Sequence, residues 1–551
     1  MKSFKYILAA LCITSMTSCE KFLTEDARGI QNLDTYFENE QQVAAYVAGC
    51  YNNITFFGWW QIQNPWMVME SASDDLWAGN TSQECDFFNV TEYRANMAEN
   101  GELSNFWQYR YKGIMNCNVG IERIPQAPID ENLRNRYLAE LRFLRAYFYF
   151  DLVKNYGGVP LIKAYAMPSE LEGITRTSAE ECYKFIIEEL GEAAKNLPKA
   201  KDLAAAEVGH ATKGAALALQ GKCYLYTEQW KAASDALKAV VELGDYDLLP
   251  EFGQVWSVHH NNSCEGVFEA QCIFDETYAL GGSLSTVTGA RNGPGDGWSW
   301  FQPTSDLENA FLQAGDFERL RWSIIKNGCT EIAGEDRFDE FIDNNTKLDA
   351  GQVAEWEQKY HFDASKSYII RPDQHKSARI IRKFFIPLND RPEIYNIDKV
   401  PLNFRIIRYA DVLLMLAEAY NEQNLDKEAK EYLNKVRRRV NLDDVNATGD
   451  ELRQAIRLER RLELCFENNR IYDIRRWKDR SGKPVISSIM GQNGSFVQYN
   501  RKRLDPYEAD NQIESSDAKG SGFNEAIHLV FPIPIYEIQH SNGSIQQNPG
   551  Y

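Results

Sequence analysis

After its first 18 residues the chain has no apolar run of 18, so no later segment reads as a membrane-spanning helix. It carries no HExxH, no GxSxG and no Walker loop, which removes the commonest short signatures of metalloprotease, esterase and nucleotide chemistry. The cluster Gly293-Pro294-Gly295-Asp296-Gly297 lacks the strand-then-helix setting that a phosphate loop needs. Histidine is scarce, at seven in 551 residues, and the adjacent pair His259-His260 cannot share one helix face as a metal pair. No CxxC or other metal-ligand spacing occurs, so neither a metal nor a cofactor is expected. Positive charge is also in deficit: 60 Lys and Arg stand against 79 Asp and Glu, a formal −19. That balance disfavours nucleic acid and anionic lipid as partners, and leaves a neutral or cationic ligand easier to accept. What the chain does have is apolar material, 44% of residues with 12% aromatic, enough for a substantial core.

The start of the chain is distinctive. Lys2 and Lys5 give a positive opening, Tyr6 to Ile13 is apolar, and Thr14 to Ser18 is small and polar apart from Met16. This is the layout of a secretory signal, too short to span a bilayer. Met16-Thr17-Ser18-Cys19 resembles a bacterial lipobox, with Met where Leu is usual. Cleavage before Cys19 would remove residues 1–18 and place a diacylglycerol on the Cys19 thiol. Several acyl chains anchor a protein stably, whereas one binds only marginally. The expectation is a lipid anchor at Cys19, a tether over 19–34 and a single body over 35–551. Loss of Lys2 and Lys5 takes the formal charge from −19 to −21.

Nine further cysteines remain, at 50, 85, 117, 182, 223, 264, 272, 329 and 465. Cys223 and Cys465 lie on apolar helix faces, and the count is odd. Buried free thiols are therefore expected rather than a disulfide scaffold, with one or two bridges left open.

Helical periodicity dominates. Leu141, Leu144, Phe148 and Leu152 mark a helix over Leu133–Asn155, stopped by Gly157-Gly158, after which Val159 to Ile162 leaves extended. Ser178 caps a helix to Asn196, with Glu181 three residues on as a capping box. Gly221, Tyr224, Ala233, Leu237 and Val240 repeat as Ala417, Tyr420, Ala429, Leu433 and Val436 at the same offsets. This small–aromatic–Ala–large–small pattern is that of a tetratricopeptide helix pair: the small residue lets two helices touch and the aromatic fills the groove. Two units are too few for a solenoid, so degenerate ones are expected near 104–155 and 178–197. Residues 244–406 differ, with Gly281-Gly282, prolines and short alternating runs; Ala378–Pro387 and Leu529–Ile533 read as strands. Long loops in a compact domain more often carry function than not.

Taken in order, further blocks resemble the SusD/RagB family. They are Phe22-Leu23, then Leu141 to Leu152 running on to Tyr156-Gly157-Gly158-Val159-Pro160-Leu161, then Ala211 to Ala216. Next come Gln302-Pro303-Thr304-Ser305-Asp306-Leu307, Arg408 to Leu414 and Glu459 to Leu464. Asp473, Arg475-Arg476-Trp477, Pro532-Ile533-Pro534 and Gln547-Asn548-Pro549-Gly550-Tyr551 complete the set. The resemblance implies a mostly α, SusD-like fold: tetratricopeptide-type helix pairs forming a frame, covered by loops, short helices and a few short strands. The frame would occupy about 35–243 and 407–480, a ligand-binding loop-rich segment 244–406, and a C-terminal segment 481–551. It further implies a surface lipoprotein of the outer membrane, not an enzyme, that captures glycan and serves a SusC-like TonB-dependent transporter.

Sugar rings stack their C–H faces on aromatic planes while their hydroxyls need fixed polar partners. Two loop-like windows suit this. One holds Trp59, Trp60, Trp66 and Trp77, and the other Trp298 and Trp300. The candidates are Trp77, Tyr278, Trp298 and Trp300 for stacking, with Asp75, Asn80 and Arg291 for hydrogen bonds. One of Trp298 and Trp300 could face solvent and the other the core. Arg460, Arg461, Glu463, Arg470, Asp473, Arg475 and Arg476 resemble an active site in composition, but their helical spacing predicts an ion-pair lattice pinning one helix to the frame. Two other functions stay open on the sequence: a protein- or peptide-binding scaffold built on the repeats, and a glycoside hydrolase using a carboxylate pair such as Asp75 with Asp296.

Overall fold

A computed structural model describes residues 36–55, 64–78, 87–278, 280–289, 297–326, 330–331, 338–339, 377, 379–387, 390, 399–502 and 519–551. Its frame is helical: α1 Glu40–Tyr51, α2 Asn64–Glu70, α3 Gly101–Arg123, α4 Glu131–Tyr156, α5 Ala179–Asn196, α6 Lys213–Tyr226 and α7 Trp230–Glu242 in the first half. In the second half come α8 Leu284–Thr288, α9 Ser305–Ala314, α10 Phe317–Ser323, α11 Tyr409–Glu422, α12 Asp426–Arg439, α13 Gly449–Glu463 and α14 Arg470–Arg476. Side chains close the helix starts. Asn100 accepts from Glu102 and Leu103 N–H, Asp130 from Asn132 and Leu133, and Thr212 from Ala215. Ser178 accepts from Glu181 N–H as expected, but the Glu181 carboxylate takes the Ser178 hydroxyl, so only half of the capping box forms. Gly157, at φ 72°, ends α4 one residue beyond the predicted Asn155.

Helices α3 to α7 pack each on the next, and α11 docks on α7. The array thus continues although the chain leaves it between residues 243 and 408. The repeat extends into the turns. Gln229 N–H donates to Tyr224 O and Leu425 N–H to Tyr420 O, both at 2.9 Å, around the left-handed residues Glu228 and Asn424. Ala233, Leu237, Val240, Ala429, Leu433 and Val436 are all fully buried. Helices also stand at the two places where degenerate units were expected.

At Gly221 an added Cβ would sit 2.5 Å from Leu237 Cγ. The matching position in the second unit already holds Ala417, so its helices are spaced for a methyl. Gly221→Ala gains about 1 kcal/mol of helix propensity but overpacks the contact by about 1–3 kcal/mol. The expected result is a net loss of stability, read as a lower denaturation midpoint.

Strands are few and short. β1 Leu76–Ala78 pairs antiparallel with β3 Phe301–Pro303, β2 Gly266–Ala270 with β6 Phe404–Arg408 across a bulge, and β4 Ile324–Lys326 with β5 Arg379–Ile381. Only Arg379–Ile381 of the strand read at Ala378–Pro387 forms a ladder. Leu529–Ile533 forms none. Leu529 is helical as the cap of a short helix, while Phe531 N–H donates to Asn155 O at the end of α4 and Ile533 N–H to the Gln547 side chain, so the segment lies on a helix end without a strand partner. Among the described residues, Cys50, Cys117, Cys182, Cys223 and Cys465 are buried free thiols, Cys272 is buried, and Cys264 is free and exposed. Cys85 and Cys329 lie outside the described residues. No described helix is long and apolar enough to cross a membrane.

Candidate functional site

The fold brings the second aromatic window's strand against the first at one place, and segments that flank the windows together at another. In the first, Trp77 of β1 stands opposite Gln302 of β3, and Thr304 donates its N–H to Asp75 O and its hydroxyl to Asp74 O. In the second, Ile54 and Thr55 share a cleft of about 280 Å³ with Cys272, Ile273, Leu280 and Gly281.

Trp298 and Trp300 immediately precede β3 in the chain. Residues 297–300 run against α8: Trp298 N–H donates to Thr286 O and Trp300 N–H to Val287 O, both at 2.8 Å. Gly297 and Gly289 touch so closely that a Cβ on Gly297 would lie 2.2 Å from the Gly289 carbonyl carbon, which is why both are glycine. Ser299 between the tryptophans is left-handed, at φ 58°. The indoles pack on one another with centroids 4.6 Å apart and planes at 58°. Both are half-buried. The expectation of one solvent-facing and one core-facing ring is thus corrected: the two form one partly exposed aromatic surface.

Tyr278 is 65% exposed. Its loop is held from below. The Asp275 carboxylate accepts from Thr277 and Tyr278 N–H, an Asx turn, and those two bonds keep the carboxyl below its ordinary range. Lys399, itself buried, donates to Asp275 O and Tyr278 O. Ile273 and Leu280 beside Tyr278 are also exposed, at 56% and 37%. Sequence reasoning missed Lys399, Ile273 and Leu280; the only local signal was the Asp-x-Thr-Tyr turn pattern.

Two candidates are displaced from the surface. Trp77 is 2% exposed, with its ring 6.5 Å from that of Phe496, so it packs the interior beneath β3 rather than offering a face to solvent. Asp75 is fully buried and accepts from Arg461 Nε at 2.8 Å. Burial raises its carboxyl to about 6, with Arg461 pulling down and Asp74 pushing up. A hydrolytic partnership of Asp75 with Asp296 has no support from this placement. Trp66 is likewise core, stacked on Phe404 at 4.7 Å. Asn80, Arg291, Trp59, Trp60, Asp296 and the anchor residue Cys19 lie outside the described residues.

The charged blocks form the expected lattice. Arg461 bridges Asp74, Asp75 and Asp306. Arg460 meets Asp411 and Asp473, Arg470 meets Asp74, and Arg476 meets Glu418 and Asp473. Glu463 accepts from Arg319, Arg408 and Arg439. Helix α13 is thereby tied to the frame and to the floor of the aromatic site.

A helical-repeat frame that carries loop aromatics on its covering layer defines the class, a repeat scaffold with a non-repeat ligand surface. The chain belongs to the SusD family, whose profile matches residues 264–551; residues 21–225 match a second profile described as starch-binding and associating with the outer membrane. Among curated relatives, SusD-like protein P2 of Formosa agariphila is 25% identical with all of both chains covered, and a SusD-like protein of Bacteroides ovatus is 24% identical over 87% of this chain and 83% of its own. Among solved structures, a SusD homologue from Bacteroides thetaiotaomicron superposes with a TM-score of 0.74 at 23% identity, covering 94% of this chain and 98% of that one. A laminarin-binding SusD-like protein gives 0.71 at 24%, covering 94% and 100%. Surface glycan-binding protein A of Bacteroides thetaiotaomicron, in complex with laminarihexaose, gives 0.69 at 18%, covering 92% and 99%.

Proposed function

We propose that this protein is a non-catalytic surface lipoprotein that captures a neutral oligosaccharide or polysaccharide at the Trp298–Trp300 surface. It then hands the glycan to a SusC-like TonB-dependent transporter in the outer membrane, to which Cys19 tethers it. The observation that carries the binding reading is the pair of touching, half-exposed indoles on the left-handed Ser299 pedestal. Two rings inclined to each other offer a curved apolar face to a sugar chain, and the largely exposed Tyr278 is a further candidate stacking group. Relatives whose names record glycan or laminarin binding share the fold, and the acidic balance of the chain favours an uncharged sugar.

The test is affinity electrophoresis and calorimetry of the form beginning after Cys19, against a panel of β- and α-glucans. Retention without new reducing ends supports binding over hydrolysis. Trp298→Ala with Trp300→Ala is expected to weaken the best ligand about tenfold to a hundredfold, each stacked ring being worth roughly 1–2 kcal/mol. The melting temperature should change little, since both rings are half-exposed. Unchanged affinity in the double variant would move the site elsewhere. Co-purification of a barrel from membranes tests the transporter step.

A further inference from the structure

The lattice around α13 and α14 has one exception. Arg470 and Arg476 each meet carboxylates, but Arg475 between them meets none among the described residues. It is 9% exposed, and its Nε, Nη1 and Nη2 are all buried without a hydrogen-bond partner. Every other arginine of the block joins an ion pair. An isolated buried guanidinium costs several kcal/mol of desolvation, so its counter-charge has to be accounted for.

The surroundings are aromatic. The guanidinium carbon lies 4.2 Å from the Phe531 ring centroid. Tyr93, Phe523, His528 and Tyr551 form a linked set, with ring centroids 5.3 Å apart for Tyr93–Phe523, 5.2 Å for Tyr93–His528 and 5.7 Å for His528–Tyr551. The hydroxyl protons point away: Tyr93 donates to Ala72 O and Tyr551 to Val530 O. Tyr93 Oη faces Arg475, whose charge and side-chain contact pull the phenol down against its burial, but no guanidinium nitrogen reaches it in full hydrogen-bond geometry, and a neutral phenol supplies no counter-charge. His528 Nδ1 accepts from Asn524 N–H, which puts the proton of the neutral ring on Nε2. Burial, then the Arg475 charge, lowers His528 to about 4, so it is neutral at physiological pH. The basket therefore presents N–H donors and one fixed positive charge; the Asp74 carboxylate is felt at Tyr93 but is itself paired with Arg461 and Arg470, and no described carboxylate forms an ion pair with Arg475. The contact with Phe531 engages the face of the guanidinium and leaves its in-plane N–H bonds unused.

We propose that Arg475 is the centre of a structural anion site that holds one small inorganic monovalent anion of the size and charge of chloride. One positive charge calls for one negative charge, and 9% exposure within aromatic walls excludes a bulky or organic anion. The residues concerned join α14 to the C-terminal segment, since Phe523, His528, Phe531 and Tyr551 all follow residue 519. A bound anion would fasten that segment to the frame. This inference is independent of the glycan reading.

The mature protein is melted in sodium chloride and in sodium gluconate at equal ionic strength, gluconate being too large to enter. Wild type is expected to melt several degrees higher in chloride, saturably, as for any ligand that binds the folded state alone. Arg475→Met, which keeps the stem and removes the charge, is expected to lose the difference between the two salts. Crystals of wild type grown in bromide should show an anomalous peak in contact with the guanidinium, which keeps the test open if the variant does not fold. Water in place of bromide at Arg475, or equal melting of wild type in both salts, overturns the proposal. An undiminished chloride effect in a folded Arg475→Met overturns it as well.

Discussion

Arg408→Met is expected to lower the stability of the protein by about 3–5 kcal/mol, the range found when one partner is removed from a buried ion network. Arg408 is 1% exposed and makes five bonds. Nε and Nη2 reach the Glu467 carboxylate at 2.7 and 3.1 Å, Nη1 reaches Glu265 and Glu463 at 2.8 and 2.5 Å, and Nη2 also donates to Glu463 O at 2.7 Å. Burial alone would depress this guanidinium, but the three carboxylates hold it well above its ordinary value, and Arg439, Arg408 and Arg319 hold Glu463 well below its own. Methionine fills much of the volume but leaves the carboxylates under-compensated, since a thioether donates nothing. Lys383 still reaches Glu467, and Arg439 still reaches Glu265 and Glu463, so the loss stays short of the sum of three separate pairs. The measurement is the denaturant midpoint at unchanged slope. Lys231→Met is the control. Its ion pair with Asp235 is 75% and 62% exposed and should contribute less than about 0.5 kcal/mol.

Arg408 also shows which part of the fold the sequence exposes. That these blocks form a structural lattice follows from helical spacing, because residues three and four apart share a face. Which acids they meet does not follow: Arg461 finds Asp75 at a separation of 386 residues, and only the finished packing of β1 against β3 makes them neighbours. The repeat is legible for the opposite reason. Gly221 and Leu237 are local partners, so their contact leaves a spacing that recurs at Ala417 and Leu433. Leu529–Ile533 marks the limit of period-two reasoning, which cannot tell a strand from a helix cap and a segment lying on a helix end.

The aromatic site divides the same way. Residue type and loop context select Tyr278, Trp298 and Trp300, and the structure leaves all three partly or largely exposed. They also select Trp77 and Asp75, which are buried, because a tryptophan in a short strand carries the same local signature on either face of the sheet. The exposure of the indole pair depends on Ser299, a serine in a left-handed conformation for which the sequence gives no warning. The site nevertheless lies where both windows converge, and its floor is the acidic group Glu70, Asp74 and Asp75 bound by Arg461 and Arg470.

That floor carries the second large effect. Glu70 is fully buried, its Oε1 accepts from Arg470 N–H, and its Oε2 has no hydrogen-bond partner. Burial, and after it the charge of Asp75, raises its carboxyl to about 8, with the backbone N–H groups of Ile471 and Arg470 and the charge of Arg470 pulling back only in part. The folded protein thus keeps a proton that the unfolded chain releases near the ordinary glutamate value. Between about pH 4.5 and 8 the native state binds the extra proton, so stability falls as pH rises, by up to about 1.4 kcal/mol per pH unit for one group. Asp74 acts in the opposite sense. Arg461 and Arg470 overcome its burial and hold it low, so its contribution is present above its ordinary range and is lost only in acid. Wild-type stability should therefore peak on the acid side of neutrality. Glu70→Gln keeps the accepting oxygen for Arg470 N–H and replaces the ionisable oxygen by a neutral donor, with the unpartnered Asp75 Oδ2 as an available acceptor in the same group. The variant is expected to match wild type near pH 4.5 and to exceed it at pH 8 by on the order of 2–4 kcal/mol, flattening the slope between. Denaturant midpoints of both proteins across that range decide it. A wild-type slope unchanged by the substitution would mean that Glu70 is ionised in the folded state and that Arg470 neutralises it outright.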